Sequence, residues 1–441
     1  AMNIDSLVRD AVFGDGNAKA SARKQIHDEA RSRGAASSSI YPLYTAIGRG
    51  EMPRPFTVPA FNIRALTYDA ARALFRAAMR HDVGAFIFEI ARSEIGYTEQ
   101  RPAEYAACVL AAAIRENFRG PLFIQGDHFQ ASAKKWTTEE GRKAELKALE
   151  SLVDEALAAE FFNIDIDTST LVDLSFKTDD EQQRANYEAT AHLTKYIRAR
   201  QPKGIMVSVG GEIGEVGKYN TTPEEVRAYM DGLDKLLGGT TGISKISVQT
   251  GTSHGGVPLA DGSIAQVKID FDVLRKTTEI CRREYGLAGS VQHGASTLPE
   301  SVFNKFPESE AVEIHLATGF QNMILDAPSF PEAMRREIRE FCFANAADER
   351  KAGESDEQFV YKTRKKALGP FKRRMWDMPE SAKKPIIDAL EEKFEFLMEK
   401  LGVFDTKDIV AKYVKPSAAP EYAAASEELT AAAVVDPNEG E

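Results

Sequence analysis

The stretch ELKALESLVDEALAAEFFNIDIDTST, residues 145–170, contains the pattern that decides the fold. Apolar residues recur at helical spacing over 145–160, so one face of a helix there is apolar. Residues 161–167 form a short run dominated by Phe and Ile, which predicts a strand buried on both faces. Polar side chains, Asp167-Thr168-Ser169, follow that strand at once. A helix leading into a buried strand is typical of an alternating α/β fold.

Seven further runs of the same kind occur between residues 57 and 318, separated by segments long enough for crossover helices. Eight such strand and helix units close a (β/α)₈ TIM barrel, whereas a doubly wound sheet usually has about five or six strands. The sequence therefore predicts a TIM barrel with an extension at each end. The predicted strands are 58–63, 84–90, 122–127, 161–167, 206–213, 246–251, 289–294 and 312–318.

Helical periodicity continues beyond the barrel over 331–345 and 384–401. The final residues are rich in Ala and Glu, which is typical of a mobile tail. The predicted domain organisation is an N-terminal extension (1–52), the barrel (53–329), a C-terminal helical extension (330–415) and a mobile tail (416–441).

Composition excludes several classes of protein. Hydrophobic residues make up 43% of the 441-residue chain and charged residues 28%, as in soluble globular proteins. The net charge of −11 has the wrong sign for a protein that binds nucleic acid over its surface. The sequence contains no apolar run of about 18 residues, the length needed to span a membrane. The three cysteines are scattered, so a disulfide framework is not predicted. We expect a cytoplasmic protein that binds neither nucleic acid nor membranes.

Polar, glycine-rich segments follow the third to seventh predicted strands, and three of the seven histidines lie there: His128, His254 and His293. In a barrel these strand ends meet at one mouth, where active sites are built. Neutral imidazoles suit Zn²⁺, and a three-histidine site with an open position can polarise a substrate carbonyl. A single histidine after a strand is usually structural, so this interpretation depends on the three occurring together.

Seven segments carry a resemblance to a known family. They are VPAFN at 58–62, DH at 127–128, IDTS at 166–169, GEIG at 211–214, GTSHG at 251–255, KIDF at 268–271 and HGAS at 293–296. In order and spacing they resemble the class II, metal-dependent fructose-bisphosphate aldolases. The resemblance covers residues 57–322.

The resemblance implies a ligand set and an acid. The three histidines would hold a catalytic Zn²⁺ or another divalent cation. Asp167 and Glu212 would lie beside it and could hold a metal in an alternative position, while Asp127 would serve as the acid toward the aldehyde. Such a metal stabilises the enediolate that C–C cleavage leaves. In the alternative interpretation, Asp127 orients a histidine, and Asp167 and Glu212 cap the helices that follow them.

A second group of residues is expected to bind the substrate. The segment containing Gly294 and Ser296 resembles the family's phosphate-binding turn, although an ordinary βα turn with a capping hydroxyl remains an alternative. Gly255 and Thr318 complete the expected substrate-binding set. His315 stands where relatives have an asparagine that contacts the enediolate, which implies a catalytic role. Its alternative is a hydrogen-bonded structural histidine at a strand end.

The sequence departs from the family pattern around the substrate. The usual lysine after His254-Gly255 is absent, since the chain continues Gly256-Val257-Pro258-Leu259, and Ala317 stands at another polar position. The loop over 215–220 is short, and Arg92 stands near a usual Ser-x-Gly. The candidates to replace the lost groups are Arg92, Lys218 and Tyr219, or Arg335 and Arg336 of the C-terminal extension.

These observations predict reversible retro-aldol cleavage of a ketose (bis)phosphate, such as fructose 1,6-bisphosphate, to dihydroxyacetone phosphate and an aldehyde. The departures predict weak activity on fructose 1,6-bisphosphate itself, or a preference for another ketose. We expect a homo-oligomer whose ligand is a phosphorylated sugar. The alternative is a non-catalytic, aldolase-like subunit that stabilises a partner aldolase.

Overall fold

The computed structural model of the protein describes residues 2–214, 219–251, 256–415 and 421–422. Within these ranges the chain forms nine strands that pair in parallel. The strands are β1 (Ala35–Ser37), β2 (Val58–Asn62), β3 (Ile87–Ala91), β4 (Gly120–Gln130), β5 (Asn163–Asp167), β6 (Ser208–Glu212), β7 (Lys245–Ser247), β8 (Ser290–Gln292) and β9 (Glu313–Leu316).

Strands β2 to β9 form a closed barrel. Each pairs with the next strand along the chain, and β9 returns to β2 with Val58 opposite Glu313. The predicted (β/α)₈ TIM barrel is therefore confirmed, and each predicted run overlaps one barrel strand. Every residue of β2, β3 and β5 is buried, including the polar Asn163, Asp165 and Asp167 of β5. The additional strand β1 pairs with the start of β4, where Ala35 lies opposite Gly120.

Helices surround the barrel and form both extensions. None of the described helices is long and apolar enough to cross a membrane. The N-terminal extension contains α1 (Ile4–Phe13), α2 (Gly16–Ser32) and α3 (Tyr41–Gly48). The barrel region contains α4 (Thr67–Arg80), α5 (Arg92–Tyr97), α6 (Pro102–Arg115), α7 (Glu139–Ala158), α8 (Asp179–Arg200), α9 (Pro223–Leu237), α10 (Phe271–Ile280), α11 (Lys305–Glu308) and α12 (Thr318–Leu325). The C-terminal extension contains α13 (Glu332–Asn345), α14 (Asp356–Thr363), α15 (Lys372–Trp376), α16 (Glu380–Lys400) and α17 (Lys407–Tyr413).

The C-terminal extension covers the end of the barrel at which the strands begin. The backbone N–H of Thr57, just before β2, donates to Leu401 O at 2.9 Å. The N–H groups of Gly84 and Ala85, just before β3, both donate to Thr406 Oγ1 at 3.1 Å. A Cβ on Gly84 would lie 2.9 Å from Lys407 Cα, so only glycine permits this approach. The opposite end of the barrel, where the strands finish, is the one left for a site.

The predicted mobile tail lies outside the described residues except at Glu421 and Tyr422. The ring of Tyr422 stacks on His27 of α2, with ring centroids 3.6 Å apart. Lys24 of the same helix pairs with Glu421 at 2.9 Å. This short part of the tail therefore contacts the N-terminal extension.

Candidate active site

The ends of three strands bring His128, Glu212 and His293 together. His128 lies near the end of β4, Glu212 ends β6, and His293 directly follows β8. One potential ligand atom of each residue lies within 4.8 Å of the others. Glu212 Oε2 is 3.4 Å from His128 Nδ1 and 3.8 Å from His293 Nε2. His254 and Gly255 lie outside the described residues, so their part in the site stays a prediction.

A β-bulge in β4 sets the direction of His128. The register between β4 and β5 shifts between Gly126 and Phe129, so β4 contains one extra residue relative to its partner strand. His128 adopts φ +38°, a backbone conformation that residues with a Cβ rarely adopt. A Cβ on Gly126 would lie 2.4 Å from the Phe129 ring, so glycine is required for this packing. Such bulges occur next to active sites because they re-aim a side chain.

His128 and His293 each have one ring nitrogen within hydrogen-bond distance of a partner. His128 Nδ1 lies 2.8 Å from Asp167 Oδ2, and His293 Nε2 lies 2.7 Å from Ser247 Oγ. Protein metal sites use such partners to fix the ring and its tautomer, leaving the other nitrogen for the cation. The other nitrogens, His128 Nε2 and His293 Nδ1, face Asp127 Oδ1 at 3.9 Å and 4.0 Å, whereas Glu212 Oε2 lies on the side of the hydrogen-bonded nitrogens. Two imidazoles with carboxylates beside them are a donor set that suits Zn²⁺. The residues present therefore fit a divalent cation.

The carboxylates beside these histidines titrate abnormally. Burial raises the pKa of Asp167, but the hydrogen bond and charge of His128 outweigh it and lower the pKa below its usual value. Burial, reinforced by the charge of Asp167, raises the pKa of Glu212 to about 7. Asp167 contacts the histidine ring, Ser169 and Gln130. Its proposed alternative role as a metal ligand stays a prediction.

Asp127 and His315 form a hydrogen-bonded pair next to the histidines. Asp127 Oδ1 lies 3.0 Å from His315 Nδ1, 3.9 Å from His128 Nε2 and 4.0 Å from His293 Nδ1. Both side chains are buried. Burial lowers the pKa of His315, but the charges of Glu89 and Asp127 outweigh it and raise the pKa well above its usual value. The carboxyl group predicted as the acid thus adjoins the candidate metal ligands.

Charged side chains continue below this pair into the barrel. His315 Nε2 lies 2.6 Å from Glu313 Oε1, and Glu313 Oε1 accepts from Lys245 Nζ at 2.5 Å. Lys245 is 1% exposed and also pairs with Asp165 at 2.9 Å. Glu89 accepts a hydrogen bond from Gln125 Nε2 at 3.1 Å. The sequence analysis did not identify this buried network.

The residues predicted to bind a phosphate lie at the same mouth. Gly294 has φ +64°, which glycine adopts readily. Ser296 Oγ accepts a hydrogen bond from the backbone N–H of Gly319 at 2.9 Å. This bond joins the segment after β8 to the start of α12, where Thr318 lies. The three residues are thereby placed in one region, and their role as substrate ligands stays a prediction.

A family model described as fructose-bisphosphate aldolase class-II matches residues 52–398. The chain belongs to this family. Class II aldolases are generally dependent on a divalent metal, and the group of His128, Glu212 and His293 is consistent with that requirement. The match continues past the barrel into α16, so part of the C-terminal extension is shared with other class II aldolases.

Two solved structures of low sequence identity have the same fold, and a third is similar at a lower TM-score. The fructuronate-tagaturonate epimerase UxaE of Cohnella laeviribosi is 13% identical, with a TM-score of 0.56 over 79% of this chain and 82% of that chain. A protein described as a probable tagatose 6 phosphate kinase from Sinorhizobium meliloti 1021 is 16% identical, with a TM-score of 0.52 over 81% and 90%. The fructose-bisphosphate aldolase of Campylobacter jejuni is 16% identical, with a TM-score of 0.47 over 84% and 96%. No curated protein matches the sequence.

A cationic cluster at the barrel mouth was not predicted from the sequence. Arg64, two residues after β2, lies 3.4 Å from Thr318 Oγ1 and is paired with Glu94 at 2.9 Å. The Arg64 guanidinium and the Lys365 ammonium lie 5.9 Å and 5.5 Å from the centre of the Tyr97 ring. The position of Arg64 directly after a predicted strand could have indicated its place at the barrel mouth. No sequence signal indicated Lys365, because it lies far from the barrel strands along the chain.

Two of the three arginines that the sequence offered as replacement cations are engaged elsewhere, and Arg336 is exposed. Arg92 is buried, where it binds the Glu145 carboxylate and donates to Gln130 O at 2.7 Å. Arg335 donates to two backbone carbonyls at the end of α12 and pairs with Glu332. The ion pair of Arg92 lies within the protein, which does not favour Arg92 as a replacement for the lost groups, and that role stays a prediction. Tyr219 is 73% exposed, and Lys218 lies outside the described residues.

Proposed function

We propose that the protein is a divalent-metal-dependent aldolase that cleaves a ketose phosphate reversibly to dihydroxyacetone phosphate and an aldehyde. One observation carries the proposal. His128, Glu212 and His293 place their donor atoms together at the barrel mouth, and Asp127 lies 3.9 Å and 4.0 Å from the two imidazoles. A cation site with an adjoining carboxyl group is what cleavage next to a ketone requires.

In this proposal His128 and His293, with His254, would hold the cation, with Zn²⁺ the expected ion. A divalent cation there would supply Lewis-acid stabilisation for the charge of the enediolate. Asp127 would hold the proton that the aldehyde oxygen exchanges. The 3.0 Å contact with His315 Nδ1 would keep the Asp127 carboxyl group oriented during that exchange.

Arg64 is the cation that we propose for the anionic end of the substrate. Its guanidinium lies against Thr318 and Gln321, close to the segment that contains Ser296. Glu94 pairs with Nε and Nη2 of this guanidinium, so a phosphate would contact Nη1 in place of Thr318 and Gln321. Arg64 follows β2, and the lysine that the family has after His254-Gly255 is absent. Because the cation thus lies at a different position, we propose that the preferred ketose differs from fructose 1,6-bisphosphate.

The test is a retro-aldol assay of the metal-loaded protein on a panel of ketose mono- and bisphosphates. Cleavage of at least one member, abolished by a chelator and restored by Zn²⁺, is the expected result. Asp127→Asn should lower kcat by roughly 10²–10⁴ while the cation held by His128 and His293 is retained, because the amide cannot exchange a carboxyl proton.

Two outcomes would contradict parts of the proposal. If the metal-loaded protein cleaves no ketose, the non-catalytic subunit becomes the better hypothesis. If kcat/KM for fructose 1,6-bisphosphate reaches about 10⁴ M⁻¹s⁻¹, the proposed difference in substrate is wrong, since that value is typical of an enzyme on its own substrate.

A further inference from the structure

The network below Asp127 contains more acceptors than the protein's own donors satisfy. Glu89 and Asp165 are 0% and 6% exposed. Among the residues that the structure describes, nothing donates a hydrogen bond to Glu89 Oε1 or to Asp165 Oδ2. Lys245 supplies one positive charge, directed at Asp165 Oδ1 and Glu313. Buried carboxylates are costly unless a cation or proton balances them.

The geometry of His315 indicates where such a cation would lie. Its Nε2 faces Glu313 Oε1 at 2.6 Å and Asp165 Oδ2 at 3.5 Å. Without a cation, a ring protonated on both nitrogens would satisfy these carboxylates; in a neutral ring with its proton on Nε2, the lone pair is on Nδ1. That nitrogen faces Asp127 Oδ1 at 3.0 Å and Glu89 Oε2 at 3.1 Å. A lone pair directed at two carboxylate oxygens is repulsive, and a metal ion between them would reverse the interaction.

The separations between these donor atoms also fit a metal. Neighbouring ligands of an octahedral cation with bonds of about 2.1 Å are separated by about 3.0 Å. One ligand atom each of Glu89, Asp127, Asp165 and His315 lies within 4.8 Å of the others, and all four residues are buried. A donor set dominated by carboxylates suits Mn²⁺ or Mg²⁺ better than it suits Zn²⁺, and the imidazole favours Mn²⁺ of these two.

We propose that Glu89, Asp165 and His315, with Asp127 above them, bind a second divalent cation inside the barrel. We call this set the lower site. The lower site is distinct from the group of His128, Glu212 and His293, and Asp127 Oδ1 lies between the two. The proposal does not depend on the reaction assigned above, because a cation here would stabilise the buried carboxylates whatever the substrate.

The test is metal content after dialysis of the full-length protein against excess Mn²⁺. We expect about two ions per chain for the wild type, and about one for Glu89→Gln and for Asp165→Asn. His128→Ala should also retain about one ion, because it leaves the lower site intact. Glu155→Gln is the matched control, since it neutralises a buried carboxylate that pairs with Arg101 outside the barrel interior, and it should bind as the wild type does.

Two results would overturn the lower site. A wild-type content of about one ion shows that His315 is balanced by a proton and not by a metal. A second ion that persists in folded Glu89→Gln lies elsewhere, for example at Asp167 and Glu212. Circular dichroism checks that each variant is folded. If Asp165→Asn does not fold, the metal content of Glu89→Gln alone tests the lower site, because the amide oxygen of Glu89→Gln can still accept the hydrogen bond from Gln125. Aldolase activity is measured separately. An inactive protein that binds two ions would contradict the proposed aldolase function but not the lower site.

Discussion

Replacing Asp167 by Asn tests whether this carboxylate controls the metal affinity of His128. The two Asp167 oxygens accept four hydrogen bonds, at 2.7 Å to 3.2 Å, from His128 Nδ1, Gln130 Nε2, and the N–H and hydroxyl of Ser169. An amide has one oxygen, so its NH₂ group must face two of these donors. If the oxygen stays with Ser169, His128 loses its acceptor at Nδ1, and the proton can move to the nitrogen that binds the metal.

Loss of such a partner typically lowers metal affinity by about 10- to 100-fold, or about 1.4–2.8 kcal/mol. We expect the upper part of that range, because the amide would not only remove an acceptor but also place a donor against the ring. Competition with a chromophoric Zn²⁺ chelator at constant pH measures the change.

Asp173→Asn is the matched control for this experiment. Asp173 accepts from the backbone N–H two residues ahead, that of Ser175, at 2.9 Å, as Asp167 does from Ser169, but it is exposed. The metal affinity of this variant should equal that of the wild type. A folded Asp167→Asn protein with wild-type Zn²⁺ affinity would refute the reasoning and reduce Asp167 to a turn-stabilising residue.

Two further predictions concern stability. Glu145→Gln should lower the free energy of unfolding by about 3–5 kcal/mol in urea titrations, because it leaves the buried Arg92 guanidinium without a counter-charge; a loss below about 1 kcal/mol would contradict this. Burial raises the pKa of Glu160, but the hydrogen bond from His27 helps to outweigh it and the pKa is lowered, so the folded state favours the carboxylate. Glu160→Gln should therefore lower the free energy of unfolding at neutral pH. Its difference from the wild type should shrink as the pH falls below about 4, because Glu160 becomes protonated first in the unfolded and then in the folded wild-type protein. A difference that stays constant between pH 7 and about pH 3 would contradict the stabilising role of the Glu160 carboxylate.

The barrel could be predicted from the sequence because its signal is local. Each predicted run contains apolar residues that can be recognised in its own short sequence, and the alternation of these runs with helical segments indicates the topology. The boundaries were less accurate, since the run predicted at 246–251 is a strand only over Lys245–Ser247. Strand β1 was missed because its sequence, Ala35-Ala36-Ser37, has no β-branched or aromatic residue.

The buried network could not be predicted, because its partners are distant in sequence. Lys245 and Glu313 are 68 residues apart, and each read alone is a charged residue of the kind usually found at a surface. His128 was recognised by its motif, but its orientation depends on a bulge relative to β5 that no local pattern shows. Charge pairs and strand register depend on the tertiary structure, whereas periodicity does not.

The hydrogen bonds between the start of the barrel and the C-terminal extension have a consequence for biosynthesis. Val58 cannot pair until Glu313 has been made, and the bonds of Thr57 and Gly84 need Leu401 and Thr406. A ribosome that makes the chain from its N-terminus therefore exposes the unpaired edge of β2 until β9 (Glu313–Leu316) has been synthesised, and the bonds to the C-terminal extension form later still. Contacts so distant in sequence slow folding, and open strand edges promote aggregation of the nascent chain. Folding of this protein in the cell is thus expected to be largely post-translational and to benefit from chaperones that shield that edge.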